Sequence, residues 1–383
     1  MVSQTPIPIL HVNHVAYISG AEVSLLTLLR SLSAQRYHLV LACPPHGALP
    51  DRARALGIDV EAIAPLRLHR RMLPTKALLI GWRLMWNLVQ LIRVIKRRRI
   101  RVIHANSLIA AIIAIPAARL CRIPAIWHIR DLALPGRLVT WLGRSADRIV
   151  VPARHLKELA VARGLPPEKI RVIPNGVDIE VFRKAALTHS PHGAPLIGMV
   201  AQLVPWKRHA DFLRAAALIR RSVPTARCLI VGADLFAEHA AYCRQLRRLS
   251  TQLGLDDCLA WLGYQHTIAP IMAMLDVLIL PSCREPFGRV IVEAQAAGVV
   301  SVAVAAAGPA EIIESGRTGL LVACGDYQAL ADATCSLLRD DAMRRRMARA
   351  GQAHAEHYFA TQITTEQFAD CVSQLLSDDL RSD

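Results

Sequence analysis

Val277-Leu278-Ile279-Leu280-Pro281-Ser282-Cys283-Arg284-Glu285-Pro286-Phe287-Gly288-Arg289-Val290-Ile291-Val292-Glu293 runs from a wholly apolar segment, through a turn, into a mixed apolar and charged segment. Four consecutive apolar residues closed by proline read as a strand covered on both faces. Pro286 cannot continue a helix that precedes it, and Gly288 lets backbone approach a ligand closely. From Arg289 onward the pattern is helical. Its N-terminus, with unpaired N–H groups and the positive end of the dipole, suits a diphosphate. A buried strand followed by a glycine turn and a helix is one unit of a parallel α/β sheet.

The same unit recurs on both sides of this stretch. Strands are expected at Ile7–Val12, His38–Ala42, Asp59–Ile63, Arg101–His104, Ala125–Ile129 and Asp147–Val151. Helical segments separate them, around Glu22–Leu32, Leu49–Leu56, Ala77–Arg98, Leu108–Leu120, Gly136–Gly143 and Arg154–Ala162. A second series of strands follows at Leu196–Val200, Cys228–Val231, Leu259–Leu262, Val277–Leu280, Val300–Ala303 and Leu320–Val322. With 383 residues the chain exceeds one core. Two doubly wound parallel-sheet domains are therefore expected, at 1–184 and 185–360, facing a cleft at the carboxyl ends of their strands. Ile179–Pro195 is the expected linker. The final helix, about Thr361–Leu376 within 361–383, is expected to pack back on the first domain.

Net charge is +16 and uneven. Between Ala62 and Arg130 there is no Asp or Glu, while basic residues include Arg70, Arg71, Lys96, Arg97, Arg98 and Arg99. Such a field seeks an anionic partner, either nucleic acid or acidic phospholipid. The segment Lys76–Arg99 combines Trp82 and Trp86 with these cations, and Arg83 and Arg93 break any apolar run long enough to span a bilayer. An interfacial helix on an anionic membrane fits this pattern, with Arg83, Asn87, Gln90 and Arg97 on its wet stripe. No aromatic platform interleaved with basic residues supports nucleic acid. Nine scattered cysteines, with no Cys-x-x-Cys, are expected as small buried apolar residues in a reducing compartment. Met1–Pro8 has no signal-peptide character. The expected location is cytoplasmic, at the inner face of the plasma membrane.

Six motifs in order, Ser19-Gly20-Ala21-Glu22, Trp127-His128-Ile129-Arg130, Pro174-Asn175-Gly176-Val177-Asp178, Leu203-Val204-Pro205-Trp206-Lys207, Glu285-Pro286-Phe287-Gly288 and Gly308-Pro309-Ala310-Glu311, span nearly the whole chain. Together they resemble glycosyltransferase family 4, whose members have the GT-B fold and retain anomeric configuration. The resemblance implies a nucleotide-diphosphate sugar as co-substrate, no cofactor and no metal. It implies that Glu285 binds donor-sugar hydroxyls, that Glu293 binds the ribose, and that Lys207 clamps the diphosphate. Carboxylates suit hydroxyls because each can accept two of them.

Gly20, Arg208, Phe287, Gly288 and Glu311 complete the implied donor site, and His128 is implied against the donor sugar, so that His128, Lys207 and Glu285 form the catalytic set. An isolated His128 would read as a buried histidine bonded to backbone; Arg130 and Asp131 beside it at a strand end favour function. The family often has arginine five residues before the lysine, and this chain has Gln202. The implied reaction moves a hexose to a lipid-linked glycan or lipid acceptor. Two rivals are a nucleotide-sugar 2-epimerase of the same fold and a non-catalytic membrane- or partner-binding protein. No Asp-x-Asp, His-Glu-x-x-His, Gly-x-Gly-x-x-Gly or Walker-type loop is present.

Overall fold

A computed structural model describes residues 6–66, 74–130, 136–188 and 193–379. The chain forms two compact units, 1–176 with 361–383, and 177–360.

The first unit is built on β1 (Ile7–Val12), β2 (Tyr37–Cys43), β3 (Asp59–Ala62), β4 (Val102–Ala105), β5 (Ala125–His128), β6 (Arg148–Val151) and β7 (Ile170–Val172). Between them run α1 (Gly20–Ser31), α2 (Ala48–Ala55), α3 (Pro74–Arg97), α4 (Leu108–Cys121), α5 (Gly136–Ser145) and α6 (Arg154–Ala162). The strands pair in parallel in the order β3-β2-β1-β4-β5-β6-β7, so the winding reverses between β1 and β4. Burial on both faces explains why the strands read as continuous apolar runs: Leu10 and Val12 pack on one face, Ile9 and Leu41 on the other.

The second unit carries α7 (Ile179–Leu187), β8 (Leu196–Val200), α8 (His209–Ser222), β9 (Arg227–Val231), α9 (Ala240–Gln252), β10 (Leu259–Gly263), α10 (Ala269–Ala273) and β11 (Val277–Leu280). It continues through α11 (Arg289–Ala296), β12 (Val300–Val304), α12 (Ala307–Ile312), β13 (Gly319–Val322), α13 (Tyr327–Arg339) and α14 (Asp341–Phe359). Sheet order is β10-β9-β8-β11-β12-β13, again parallel, with the reversal between β8 and β11. The β8–β11 ladder stops after Ile197–Val277 and Gly198–Leu278, so these two strands part toward their carboxyl ends. The chain then returns to the first unit as α15 (Thr361–Asp379), whose Phe368, Val372 and Leu375 are buried with Ile9, Leu25 and Leu29. Each such side chain stabilises the core by about 2 kcal/mol.

Three expectations need correction. The boundary falls at 176/177 rather than 184/185, because Ile179–Leu187 is a helix that packs on α10 and α11 and not a linker. Asp178 caps it, accepting from Val181 N at 3.3 Å. The strand β7 was not expected; at three residues it is too short to show a period. Cys283 and Cys324 form a disulfide, with Cα atoms 5.5 Å apart, because the loops after β11 and β13 meet. The other seven cysteines are free, five of them buried.

Candidate functional site

In doubly wound sheets, ligands bind where the winding reverses, beyond the carboxyl ends of the two central strands. Lys207 follows β8 and Glu285 follows β11, and the two side chains form an ion pair there. Both are largely buried, at 12% and 11% side-chain exposure, and the Lys207 ammonium also lies 4.2 Å from the centre of the Trp206 ring. A buried ion pair contributes little net stability, since desolvation offsets the attraction, so packing alone does not explain it.

Local structure fixes both partners. Lys207 closes the 3-10 turn Pro205–Lys207, and Arg208 adopts a left-handed conformation (φ 59°) before α8 begins at His209. The Glu285 carbonyl accepts from Gly308 N at 3.0 Å. Gly308 has to be glycine, because a Cβ there would lie 2.1 Å from the Phe287 carbonyl oxygen. Gly288, at φ +96°, turns the chain into α11. The Phe287 ring is buried against Phe359, with centroids 5.8 Å apart, so this side chain acts as the loop's anchor.

The remaining residues expected in the donor site are placed as follows. Glu293 lies one turn inside α11, is 4% exposed, and accepts from Arg289 Nε at 2.7 Å. Burial raises its pKa and Arg289 opposes the rise. Arg208 donates to Asp211 at 2.5 Å, and its guanidinium approaches Gly325. Gln202 follows β8, and its buried side-chain nitrogen has no hydrogen-bond partner among the described residues. Glu311, expected in the donor site, is exposed near the end of α12. Among the described residues, no three His, Cys, Asp or Glu side chains are grouped to hold a metal ion.

The first unit's winding reversal has a different chemistry. His11 on β1 and His104 on β4 are register partners, with their Nδ1 atoms 2.9 Å apart. Two residues on, Asn106 donates to Asn13 at 3.0 Å, and Asn13 donates to Glu22 at 3.3 Å. Glu22 is buried and also accepts from Ser19 N at 3.0 Å, which makes it a cap on α1. Arg130 donates to Asn106 through Nε at 3.1 Å and Nη2 at 2.7 Å, and to Asn175.

His128 ends β5 with 5% exposure, and neither ring nitrogen has a hydrogen-bond partner among the described residues. Burial, then Arg130 and His104, hold its pKa well below the ordinary value, so it is neutral. Burial likewise lowers His11, to about 3. His128, Arg130, Asn175, Ser24, Thr27 and Thr364 line one small pocket within this unit. Gly20 opens α1 with nothing within 4 Å of a Cβ position, so packing does not demand glycine there. Gly176 does need to be glycine, since a Cβ would lie 2.2 Å from Thr364 Oγ1.

Sequence reasoning missed His11, Asn13, His104 and Asn106. The signal was legible as the same His-x-Asn triplet at the ends of two neighbouring strands.

On α3 the outward stripe is apolar first and basic later. Leu79, Trp82 (68% exposed) and Trp86 precede Arg93, Lys96 and Arg97. Two expectations are corrected. Asn87 points inward, bonding Ala64 N and O at 2.7 and 2.9 Å. Arg97 and Arg98 are partly neutralised by ion pairs with Glu61 and Asp59, which the fold places beside the helix end. Lys96 and Arg99 are exposed, while Arg70 and Arg71 lie outside the described residues. No helix among the described residues is long and apolar enough to cross a membrane.

Residues 18–181 match the family described as Glycosyltransferase Family 4, and residues 183–354 match Glycosyl transferases group 1. The chain belongs to glycosyltransferase family 4. Among family relatives, it is 26% identical over 361 residues to an Escherichia coli UDP-Gal:alpha-D-GlcNAc-diphosphoundecaprenol alpha-1,3-galactosyltransferase, covering 88% of this chain and 89% of that one. It is 28% identical over 220 residues to the Bacillus anthracis N-acetyl-alpha-D-glucosaminyl L-malate synthase, covering 56% of each. A D-inositol 3-phosphate glycosyltransferase of Stackebrandtia nassauensis is 32% identical over 207 residues, covering 50% of this chain and 46% of that one. The last two matches thus span about half of each relative's length. Among solved structures, Anabaena Alr3699/HepE in complex with UDP-glucose superposes with a TM-score of 0.82 at 25% identity, covering 96% of this chain and all of that one. A sucrose-phosphate synthase from Thermosynechococcus elongatus shares the fold, at TM-score 0.78 and 20% identity.

Proposed function

We propose that this family 4 member is a metal-independent, retaining hexosyltransferase that uses a nucleotide-diphosphate sugar and an acceptor at an anionic membrane surface. The observation that carries this reading is the largely buried Lys207–Glu285 pair where the second sheet reverses. A diphosphate entering there would take the Lys207 ammonium from Glu285, and the freed carboxylate would accept hydroxyls of the sugar. The N–H groups at the start of α11 add positive potential without a metal. Glu293, one turn further on, is the proposed ribose partner. As the glycosidic C–O bond breaks, negative charge collects on the diphosphate, where Lys207 stabilises it. Retention without a protein nucleophile follows if the leaving diphosphate accepts the acceptor's hydroxyl proton on the same face. Within the first unit, neutral His128 is the proposed hydrogen-bond partner for an uncharged hydroxyl.

The acceptor is proposed to be lipid-linked. Support comes from the exposed Trp82 and Trp86 beside Lys96 and Arg99, a pattern suited to the headgroup layer. Further support comes from the Escherichia coli relative named for a diphosphoundecaprenol acceptor and from the UDP-glucose in the Anabaena structure. Such an enzyme would work at the cytoplasmic face of the plasma membrane.

One melting experiment tests both parts: UDP- and GDP-sugars are added with and without vesicles containing anionic lipid. A nucleotide sugar at a hundredfold excess over its dissociation constant should stabilise the chain by about 2.7 kcal/mol. The chain should also sediment with the anionic vesicles and not with neutral ones. If no nucleotide sugar raises the melting temperature, the donor site is misassigned; if anionic vesicles leave the chain in the supernatant, the membrane reading fails.

A further inference from the structure

Cys283 lies two residues before Glu285, on the loop after β11, and Cys324 follows β13. In the sheet β12 separates β11 from β13, so the disulfide reaches over the end of β12. It ties the Glu285 loop to the turn at Gly325 (φ +85°), where a Cβ would come within 3.3 Å of Arg208 Nη2. One covalent bond thus joins the loops that present Glu285 and face Arg208. Cys324 is exposed and Cys283 partly so, whereas five of the seven free cysteines are buried. Solvent thiols and disulfides can therefore reach this bond. Intracellular disulfides are usually transient and redox-sensing.

We propose that Cys283 and Cys324 form a reversible thiol–disulfide modification site whose oxidised form holds the Glu285 loop ready for the nucleotide donor. The consequence for binding rests on the donor-site reading above. In the forward direction, the Cys324 thiolate attacks one sulfur of a small-molecule disulfide, forming a mixed disulfide and releasing one thiolate. The Cys283 thiolate then attacks Cys324 Sγ, closing the protein bond and releasing the second thiolate. Two electrons pass from the cysteines to the oxidant, and the two thiol protons leave to solvent or to the released thiolates. A dithiol reverses both steps. Reduced, the loop keeps its Gly308 hydrogen bond, its Phe287 anchor and its Lys207 ion pair, so it loosens without unfolding.

The test compares the full chain treated with glutathione disulfide against the chain treated with dithiothreitol. Alkylation under denaturing conditions should count seven thiols in the first and nine in the second. The oxidised chain should bind UDP about fivefold more tightly, near the lower end of ordinary coupling between sites. Trypsin should cut after the exposed Arg284 faster in the reduced chain. Cys324→Ser should match the reduced chain in cleavage and UDP affinity under both reagents, whereas Cys283→Ser should stop at the mixed disulfide on Cys324; the exposed Cys324 position guards against a folding defect. Nine thiols after glutathione disulfide overturn the proposal. So do seven thiols accompanied by unchanged cleavage and unchanged UDP affinity. If UDP binds neither form while thiol count and cleavage both respond, the redox site stands and the donor-site reading falls.

Discussion

The two sheets reverse their winding in the same way and furnish the reversal with opposite chemistry. At β8 and β11 the second unit places a lysine and a glutamate in a largely buried ion pair. At β1 and β4 the first unit places histidines and asparagines, with the histidines His11 and His104 neutral through burial. A charged site can exchange its internal partner for a charged ligand. Neutral histidines and asparagines, with Glu22 at one end of the network and Arg130 at the other, are suited to hydrogen-bonding hydroxyl groups. The two sheets thus carry different polar groups at equivalent positions of one winding pattern.

The largest effect should come from breaking the charged reversal. Lys207→Ala should lower transfer about a thousandfold. By leaving the Glu285 carboxylate buried alone, it should also destabilise the fold by about 3 kcal/mol. The double variant Lys207→Met with Glu285→Leu should be as inactive yet melt above the single variant. A double variant that melts no higher would mean that the single variant's loss has another cause.

Acid should separate the units next. His11, titrating near 3, and His104 and His128, also held down by burial, stay neutral in the folded chain below the unfolded value of about 6.5. As pH falls through that value the unfolded state binds protons that the native state refuses, so stability falls. Each group contributes about 1.4 kcal/mol per pH unit below 6.5, down to its folded pKa. In the second unit the resolved downward shifts are at His209, to about 4, and at the largely buried His354. Hydrogen exchange at pH 5.5 against pH 7 should show the first unit losing more protection than the second. Equal losses would contradict a concentration of neutral histidines in the first unit.

The smallest effect probes the neutral reversal directly. Asn106→Ala removes the acceptor of two Arg130 hydrogen bonds and should cost about 2 kcal/mol, read by denaturant unfolding. A change within experimental error would show that the network contributes packing alone.

Sequence disclosed most of the fold because the strands are buried on both faces, and runs such as Val277–Leu280 and Leu196–Val200 match the observed strands. It disclosed α7 poorly: Ile179–Leu187 has one fully buried side chain, Phe182, and precedes a segment rich in His, Gly and Pro that looks like a linker. The charged site was legible because Lys207 and Glu285 each stand just past an apolar run. The histidine site left only a repeated His-x-Asn triplet, easily passed over because a buried histidine on a strand resembles core until its partner is known, and partnership across β1 and β4 depends on sheet order. The disulfide was hidden for the same reason, its cysteines lying 41 residues apart.

The return of α15 to the first unit orders events during synthesis. Phe368, Val372 and Leu375 fill the face of a sheet whose first strand ends at Val12, so β1 waits for a helix made much later. Residues 177–360 emerge entire and can close their own core while the opening unit still has an uncovered apolar face. A ribosome that stops short of Thr361 would release a finished second half attached to an unfinished, adhesive first half.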